Sequence, residues 1–132
     1  MNPVVHFEMP AENQKRMEEF YTKVFGWEMQ HMGPDMNDYT VVTTTEVDPK
    51  THFPKESGQI NGGFYKKEPN DPSTHAPSFV IAVENAEEHI KKIKEAGGEI
   101  LHGPDTIPGV GIYVAFRDTE GNRLSILQPS RM

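Results

Sequence analysis

The sequence predicts an α+β protein: two βαβββ modules forming a curved, mostly antiparallel eight-stranded sheet with a central cleft. Three observations lead there. Two amphipathic helical stretches begin after an Asn cap, Asn13 and Asn85, and each stops at a glycine. A shift of 72 residues places Glu12 on Glu84, Asn13 on Asn85 and Gly26 on Gly98 without a gap. Each helix is preceded by one β-rich run and followed by three, and a proline-bearing segment, 67–77, separates the two sets. The expected organisation is a single domain over residues 1–132, with module one about 3–66, a linker 67–77 and module two about 78–128. One such unit would leave a sheet face exposed and be marginal alone, so the two are expected to pair.

The elements follow in order. Residues 4–9 are rich in β-formers and end at Pro10. Alternation along that strand sets Val5, Phe7 and Met9 on one face and Val4, His6 and Glu8 on the other. Met17, Phe20, Tyr21 and Val24 fall on one helical stripe, read as the buried face, and Gly26 supplies the left-handed stop. Strands are expected at 27–31 and 39–45, with a turn at Gly33-Pro34-Asp35 between them. Residues 46–59 are polar, with Pro49, Pro54 and Gly58, and read as a mobile flap or lid. Residues 60–66 open with Asn61-Gly62-Gly63, where the glycines mark a bulge or a close backbone approach.

Module two starts with a strand at 78–83. Asn85 and Glu88 have capping-box spacing. Ala86, Ile90, Ile93 and Ala96 are expected along the buried side of the helix that Gly97-Gly98 ends. A short strand at 99–102 precedes a loop bracketed by Gly103-Pro104 and Pro108-Gly109. Strands at 111–117 and 123–128 flank the turn Asp118 to Asn122, and residues 129–132 are expected to fray.

Composition excludes several function classes. Hydrophobic residues are 35% and charged residues 25%, as in a globular domain. No apolar run approaches the roughly 20 residues of a membrane span, and the N-terminus lacks the basic and apolar regions of a secretory signal. Without cysteine there are no disulfides or thiolate metal sites, which fits a cytoplasmic setting. Twenty acidic against 13 basic side chains give a net charge of −7. That charge repels a phosphate backbone and tolerates a cationic ligand. The partners expected are a small molecule and no nucleic acid or membrane.

Taken together, the run from His6 to Trp27, INGGF, AGGEIL, IPGVGIYVAF and RDTEGNRLSILQ resemble the vicinal oxygen chelate superfamily. That group includes glyoxalase I, extradiol dioxygenases and fosfomycin and bleomycin resistance proteins. The resemblance runs from about Val4 to Gln128 and is greatest to a group labelled as related to lactoylglutathione lyase. It implies the paired βαβββ fold and a homodimer. Metal-using members of the superfamily take ligands from four strand positions. His6 matches the first, while Ser78 and Ser125 stand at two others, Ser125 by counting seven residues on from Asp118. The remaining position falls near Gly62. One ligand type out of four is thus kept, too few for a catalytic divalent ion, which takes about three protein ligands.

The expected site residues are therefore His6, as candidate catalytic group and ligand contact, with Glu8, Ser78, Tyr113, Arg123 and Ser125 as ligand-binding residues; no metal and no cofactor is expected. His6 has an unperturbed pKa near neutrality and suits hydrogen bonding or acid–base work. Glu8 shares its face. Arg123 is positioned to meet an anion or to pair with Glu8. Tyr113 offers a hydroxyl and an aromatic wall. His52 and His75 read as loop residues, His89 as a helix-face residue, and His31 and His102 as strand ends. The expected function is a glyoxalase/bleomycin-resistance-like protein that binds a small, mostly apolar or cationic molecule in its cleft without a catalytic metal. The alternative is a glyoxalase- or lyase-type enzyme, using His6 as acid/base or a rearranged metal site of His6, Glu8 and another histidine.

Overall fold

The structure is a computed structural model that describes residues 1–130. The chain divides into two units, His6–Pro77 (the N-terminal unit) and Met1–Val5 with Ser78–Met132 (the C-terminal unit). Each is a βαβββ arrangement, so the protein is α+β. The expectation that residues 129–132 fray lies partly outside the described residues. Pro129 belongs to a strand, and Ser130 donates its amide to Val110 O at 2.9 Å.

The N-terminal unit contains β1 (Val4–Ala11, whose first two residues group with the other unit), α1 (Gln14–Phe25), β2 (Glu28–His31), β3 (Thr40–Thr43) and β4 (Asn61–Lys66). Its strand order is β2-β3-β4-β1. The pairs β2/β3 and β3/β4 are antiparallel, and β1 lies parallel to β4. That pairing carries β1 two residues beyond its predicted end, with Pro10 opposite Tyr65 and Ala11 opposite Lys66.

Both ends of α1 are built as its sequence requires. Asn13 Oδ1 accepts the Arg16 amide at 2.9 Å, and Gly26 takes φ 72°, where a Cβ would be strained. The buried stripe does not form. Phe20 and Val24 are each 54% exposed, and no residue of α1 is fully buried. The helix is instead held by a ring stack and a polar network. Tyr21 stacks on Trp27 at 4.8 Å and leans on buried Phe64 at 5.5 Å. Thr40, fully buried, donates its hydroxyl to Glu18 Oε2 at 2.6 Å, and Gln14 Nε2 donates to Asp38 O at 2.6 Å.

Two segments read as open connections are folded. Within 46–59, Val47 bridges Pro54, and Asp48 accepts the amides of Lys50 and Thr51 at 2.7 and 3.1 Å. These amide donors hold the Asp48 carboxyl below its ordinary pKa. Within 67–77, Asp71 caps a single 3₁₀ turn, Pro72–Thr74, and the Thr74 hydroxyl donates to the Asp71 carbonyl at 2.8 Å.

The C-terminal unit contains β5 (Ser78–Ala82), α2 (Ala86–Glu95), β6 (Glu99–Ile107), β7 (Gly111–Arg117) and β8 (Arg123–Pro129), in the order β5-β8-β7-β6. Again the first strand lies parallel to the last, and the other pairs are antiparallel. Val83, Ala86, Val114, Phe116 and Ile126 form its core, with Ile90, Ile93 and Leu124 packed against it. Ala96, expected on the buried side of α2, is the exposed cap residue, and the left-handed stop falls at Gly97 rather than Gly98. β6 runs five residues past its predicted end. Its register jumps from His102↔Ala115 to Asp105↔Tyr113, so Gly103 and Pro104 are bulged out and the missing proline amide costs no ladder bond.

Ile126→Ala should cost about 2–5 kcal/mol, because it opens a cavity in this core. Val24→Ala, on the exposed face of α1, should stay within about 0.5 kcal/mol. Guanidinium unfolding of both variants checks this; equal losses would mean that the outer face of α1 is covered in solution.

Candidate functional site

Alternation along β1 separates an aromatic face from a polar one. Phe7 turns toward α1 and meets Trp27 at 5.6 Å. His6 and Glu8 point the other way, and the structure brings them together through a residue the sequence reading missed. The Tyr39 hydroxyl donates to Glu8 Oε2 at 3.1 Å, and His6 Nε2 lies 3.1 Å from the same hydroxyl oxygen. Glu8 is 8% exposed.

The glycine pair of β4 makes both faces possible. Its register against β1 sets Phe7 beside Gly62 and Glu8 beside Gly63. A Cβ on Gly62 would strike the Phe7 ring, and one on Gly63 would overlap the Tyr39 hydroxyl. Close approach, not a bulge, is therefore what the Asn-Gly-Gly sequence provides here.

Burial lowers the His6 pKa from 6.5 to about 4, because the charged imidazolium is disfavoured away from water. His6 is neutral at physiological pH. It is an uncharged hydrogen-bonding group joined to the Glu8 carboxyl group through a phenol.

In the C-terminal unit, Ser125 is 1% exposed and donates its hydroxyl to the Tyr113 oxygen at 2.5 Å. Ser78 is 7% exposed at the start of β5. Arg123 is half-buried at the start of β8, in register with Arg117. Leu124 and Ile126 alternate with these residues and pack in the core. The two units are equivalent here position by position. Val41 pairs with Gly63 on β4 as Ala115 pairs with Ser125 on β8, so Tyr39 and Tyr113, each two residues earlier, correspond. In one unit the tyrosine passes over a glycine to reach Glu8; in the other it meets a serine.

The donor set does not fit a divalent ion. Asn61, opposite His6 on β4, already accepts the Thr44 and Thr45 amides at 2.7 and 3.0 Å. Gly62 offers no donor, and the hydroxyls of Ser78 and Ser125 are neutral. The other histidines are engaged locally. His31 lies 3.1 Å from Glu18, His75 donates to Glu68 O at 2.7 Å, His89 lies 3.2 Å from Asn85 O and His102 lies 2.7 Å from Asp105, while His52 is exposed in the loop after β3. Among the described residues no three His, Asp or Glu side chains converge on one point.

Tyr39 could have been found in the sequence by a register argument. It precedes the β-branched run of β3, and Gly63 is the side-chain gap it needs, but nothing local says that the two are neighbours.

A family model described as the Glyoxalase/Bleomycin resistance protein/Dioxygenase superfamily matches residues 4–126. No curated protein matches the sequence. Among solved structures, a hypothetical protein from Bacillus halodurans is similar with a TM-score of 0.69 at 13% identity, covering 99% of this chain and 96% of that one. Methylmalonyl-CoA epimerase from Streptomyces coelicolor, in complex with 2-nitronate-propionyl-CoA, is similar with a TM-score of 0.65 at 12% identity, covering 98% and 96%. A glyoxalase/bleomycin resistance protein/dioxygenase superfamily member from Vibrio splendidus gives 0.59 at 15% identity, covering 96% and 97%. At these identities the likeness is one of fold.

The buried neutral His6 makes stability depend on pH. The unfolded chain protonates this histidine near pH 6.5 and the folded chain near pH 4, so between those values the unfolded state binds more protons. The folded state should hold its full margin above pH 6.5 and lose up to about 3 kcal/mol as the pH falls toward 4. Unfolding titrations at several pH values should show that loss in the parent chain and a smaller one in His6→Gln. Parallel profiles would refute the assignment.

Proposed function

The chain belongs to the Glyoxalase/Bleomycin resistance protein/Dioxygenase superfamily, and we propose that it is a small-molecule-binding protein whose polar site is centred on His6 and Glu8 and works without a catalytic divalent ion. The observation that carries this reading is the His6–Tyr39–Glu8 arrangement. It is a partly buried hydrogen-bonding set, pre-formed in the protein, in a donor environment too poor to fix a metal. The solved epimerase complex supports ligand binding on this fold, since that protein carries 2-nitronate-propionyl-CoA. In the C-terminal unit, Ser78, Tyr113, Arg123 and Ser125 are proposed as ligand-binding residues. A net charge of −7 and the Glu8 carboxylate favour a cationic ligand over an anionic one. No helix among the described residues is long and apolar enough to cross a membrane, and a cytoplasmic homodimer is part of the proposal.

The alternative is a glyoxalase- or lyase-type enzyme with His6 as acid/base. It is favoured less because a general base works best with a pKa near the working pH. With a pKa near 4, His6 holds a proton too weakly to be an efficient base at neutrality. The same property suits a hydrogen-bond acceptor that must stay neutral.

A thermal-shift screen of small amines, amides and apolar amines against the parent chain and His6→Ala tests the proposal. Hits that raise the melting temperature of the parent and lose the effect in His6→Ala are expected; hits indifferent to His6→Ala would overturn it. Elemental analysis after incubation with Zn²⁺, Ni²⁺, Mn²⁺ and Fe²⁺ and dialysis should find no stoichiometric metal. Retained metal that His6→Ala abolishes would point to the enzyme instead.

A further inference from the structure

His6 has two ring nitrogens, and the structure distinguishes them. Its Nε2 meets the Tyr39 hydroxyl oxygen at 3.1 Å. A phenol has one proton, and Tyr39 gives it to Glu8 Oε2 at 3.1 Å. The hydroxyl can then only accept from the imidazole, so a neutral His6 carries its proton on Nε2 and leaves Nδ1 as a bare lone pair. Nδ1 has no hydrogen-bond partner among the described residues, and no buried polar side-chain atom of theirs is left unsatisfied, so Nδ1 is not wholly sealed from solvent.

The hydroxyl is steered to this point by Gly63, whose missing Cβ is the space it occupies. The C-terminal unit makes the contrast. Ser125 stands in the Gly63 position, and there the hydroxyl of the equivalent tyrosine, Tyr113, accepts a proton from the serine. The same scaffold thus gives a tyrosine hydroxyl different partners: Glu8 across Gly63 in one unit, and Ser125 in the other, where Val80 takes the place of Glu8.

We propose that Tyr39 is a positioning residue that locks His6 in the Nε2–H tautomer, so that the site presents Nδ1 as an acceptor and selects ligands carrying an N–H donor, above all a protonated amine. The proposal rests on the reading of this site as a small-molecule site. A protonated amine would donate to Nδ1 while the nearby Glu8 carboxylate offsets its charge. A quaternary ammonium of equal charge has no proton to donate and is the natural comparison.

Long-range ¹H–¹⁵N correlation spectra of the full chain at neutral pH read the tautomer directly. The His6 Nδ1 resonance is expected in the unprotonated range and Nε2 in the protonated range. Tyr39→Phe should turn this into a mixture of tautomers, and Gly63→Ala, which leaves Tyr39 in place and only closes its seat, should do the same. An Nδ1–H tautomer in the parent chain, or an unchanged tautomer in both variants, would overturn the role of Tyr39; a purely structural tyrosine would leave these resonances alone. Methylammonium and tetramethylammonium then probe the ligand class. Methylammonium should shift the His6 Nδ1 resonance and tetramethylammonium should not. Equal shifts, or none with methylammonium, would overturn the donor requirement. The tautomer arm needs no ligand, so it stands or falls separately from the His6-dependent hits that test the binding function.

Discussion

The parallel register of β1 against β4 is the constraint on which the N-terminal unit depends. It sets Phe7 beside Gly62 and Glu8 beside Gly63, one glycine for each face of the strand. A slip of one residue would turn every side chain of β1 to the opposite face. Phe7 would leave the Trp27 ring, and His6 and Glu8 would meet the aromatic side of the sheet. Packing on one face and hydrogen bonding on the other therefore enforce the same register. A polar site on a strand needs this, since its own hydrogen bonds contribute only about 1 kcal/mol each.

The two units show how one repeated scaffold carries different chemistry. Strand order, parallel closing pair and helix caps are shared, and so is the tyrosine two residues before the β3/β4 or β7/β8 pair. What differs is the side chain on the last strand, glycine in one and serine in the other, together with the first strand, where His6 and Glu8 stand against Ser78 and Val80. In the N-terminal unit the gap lets a phenol link an imidazole to a carboxylate. In the C-terminal unit the serine hydroxyl meets the phenol, and the pair holds only neutral hydroxyls.

The fold was legible because its signals are local. Caps at Asn13 and Asn85, the stop at Gly26 and alternation in the strands all act over a few residues, and they fell where the sequence places them; the second stop fell one residue early, at Gly97. The buried stripe of α1 was misread because helical spacing reports amphipathicity and not coverage; the Tyr21–Trp27 stack and the Gln14 and Glu18 side chains hold that helix instead. The length of β6 was misread because Gly103-Pro104 has the look of a turn, whereas a bulge hides the pair beside the ladder. Of the site, His6 and Glu8 were legible from strand parity. Tyr39 was not, since its contact with them spans more than thirty residues and depends on the absence of a side chain at Gly63.

Local charge weighs more in this site than the charge of the whole chain. The net −7 acts mainly through exposed side chains, and salt screens such charges beyond a Debye length of about 8–10 Å. Glu8 is almost wholly buried, so its carboxyl is screened by salt far less than the exposed charges are. A protonated amine, the ligand class proposed, loses hydration on entering such a site, so each of its N–H groups needs an acceptor in the protein. In that proposal Glu8 is one acceptor, and Nδ1 of His6 is a second that adds no charge. An imidazolium there would repel the same ligand, so the burial that weakens His6 as a base is what makes it useful as an acceptor.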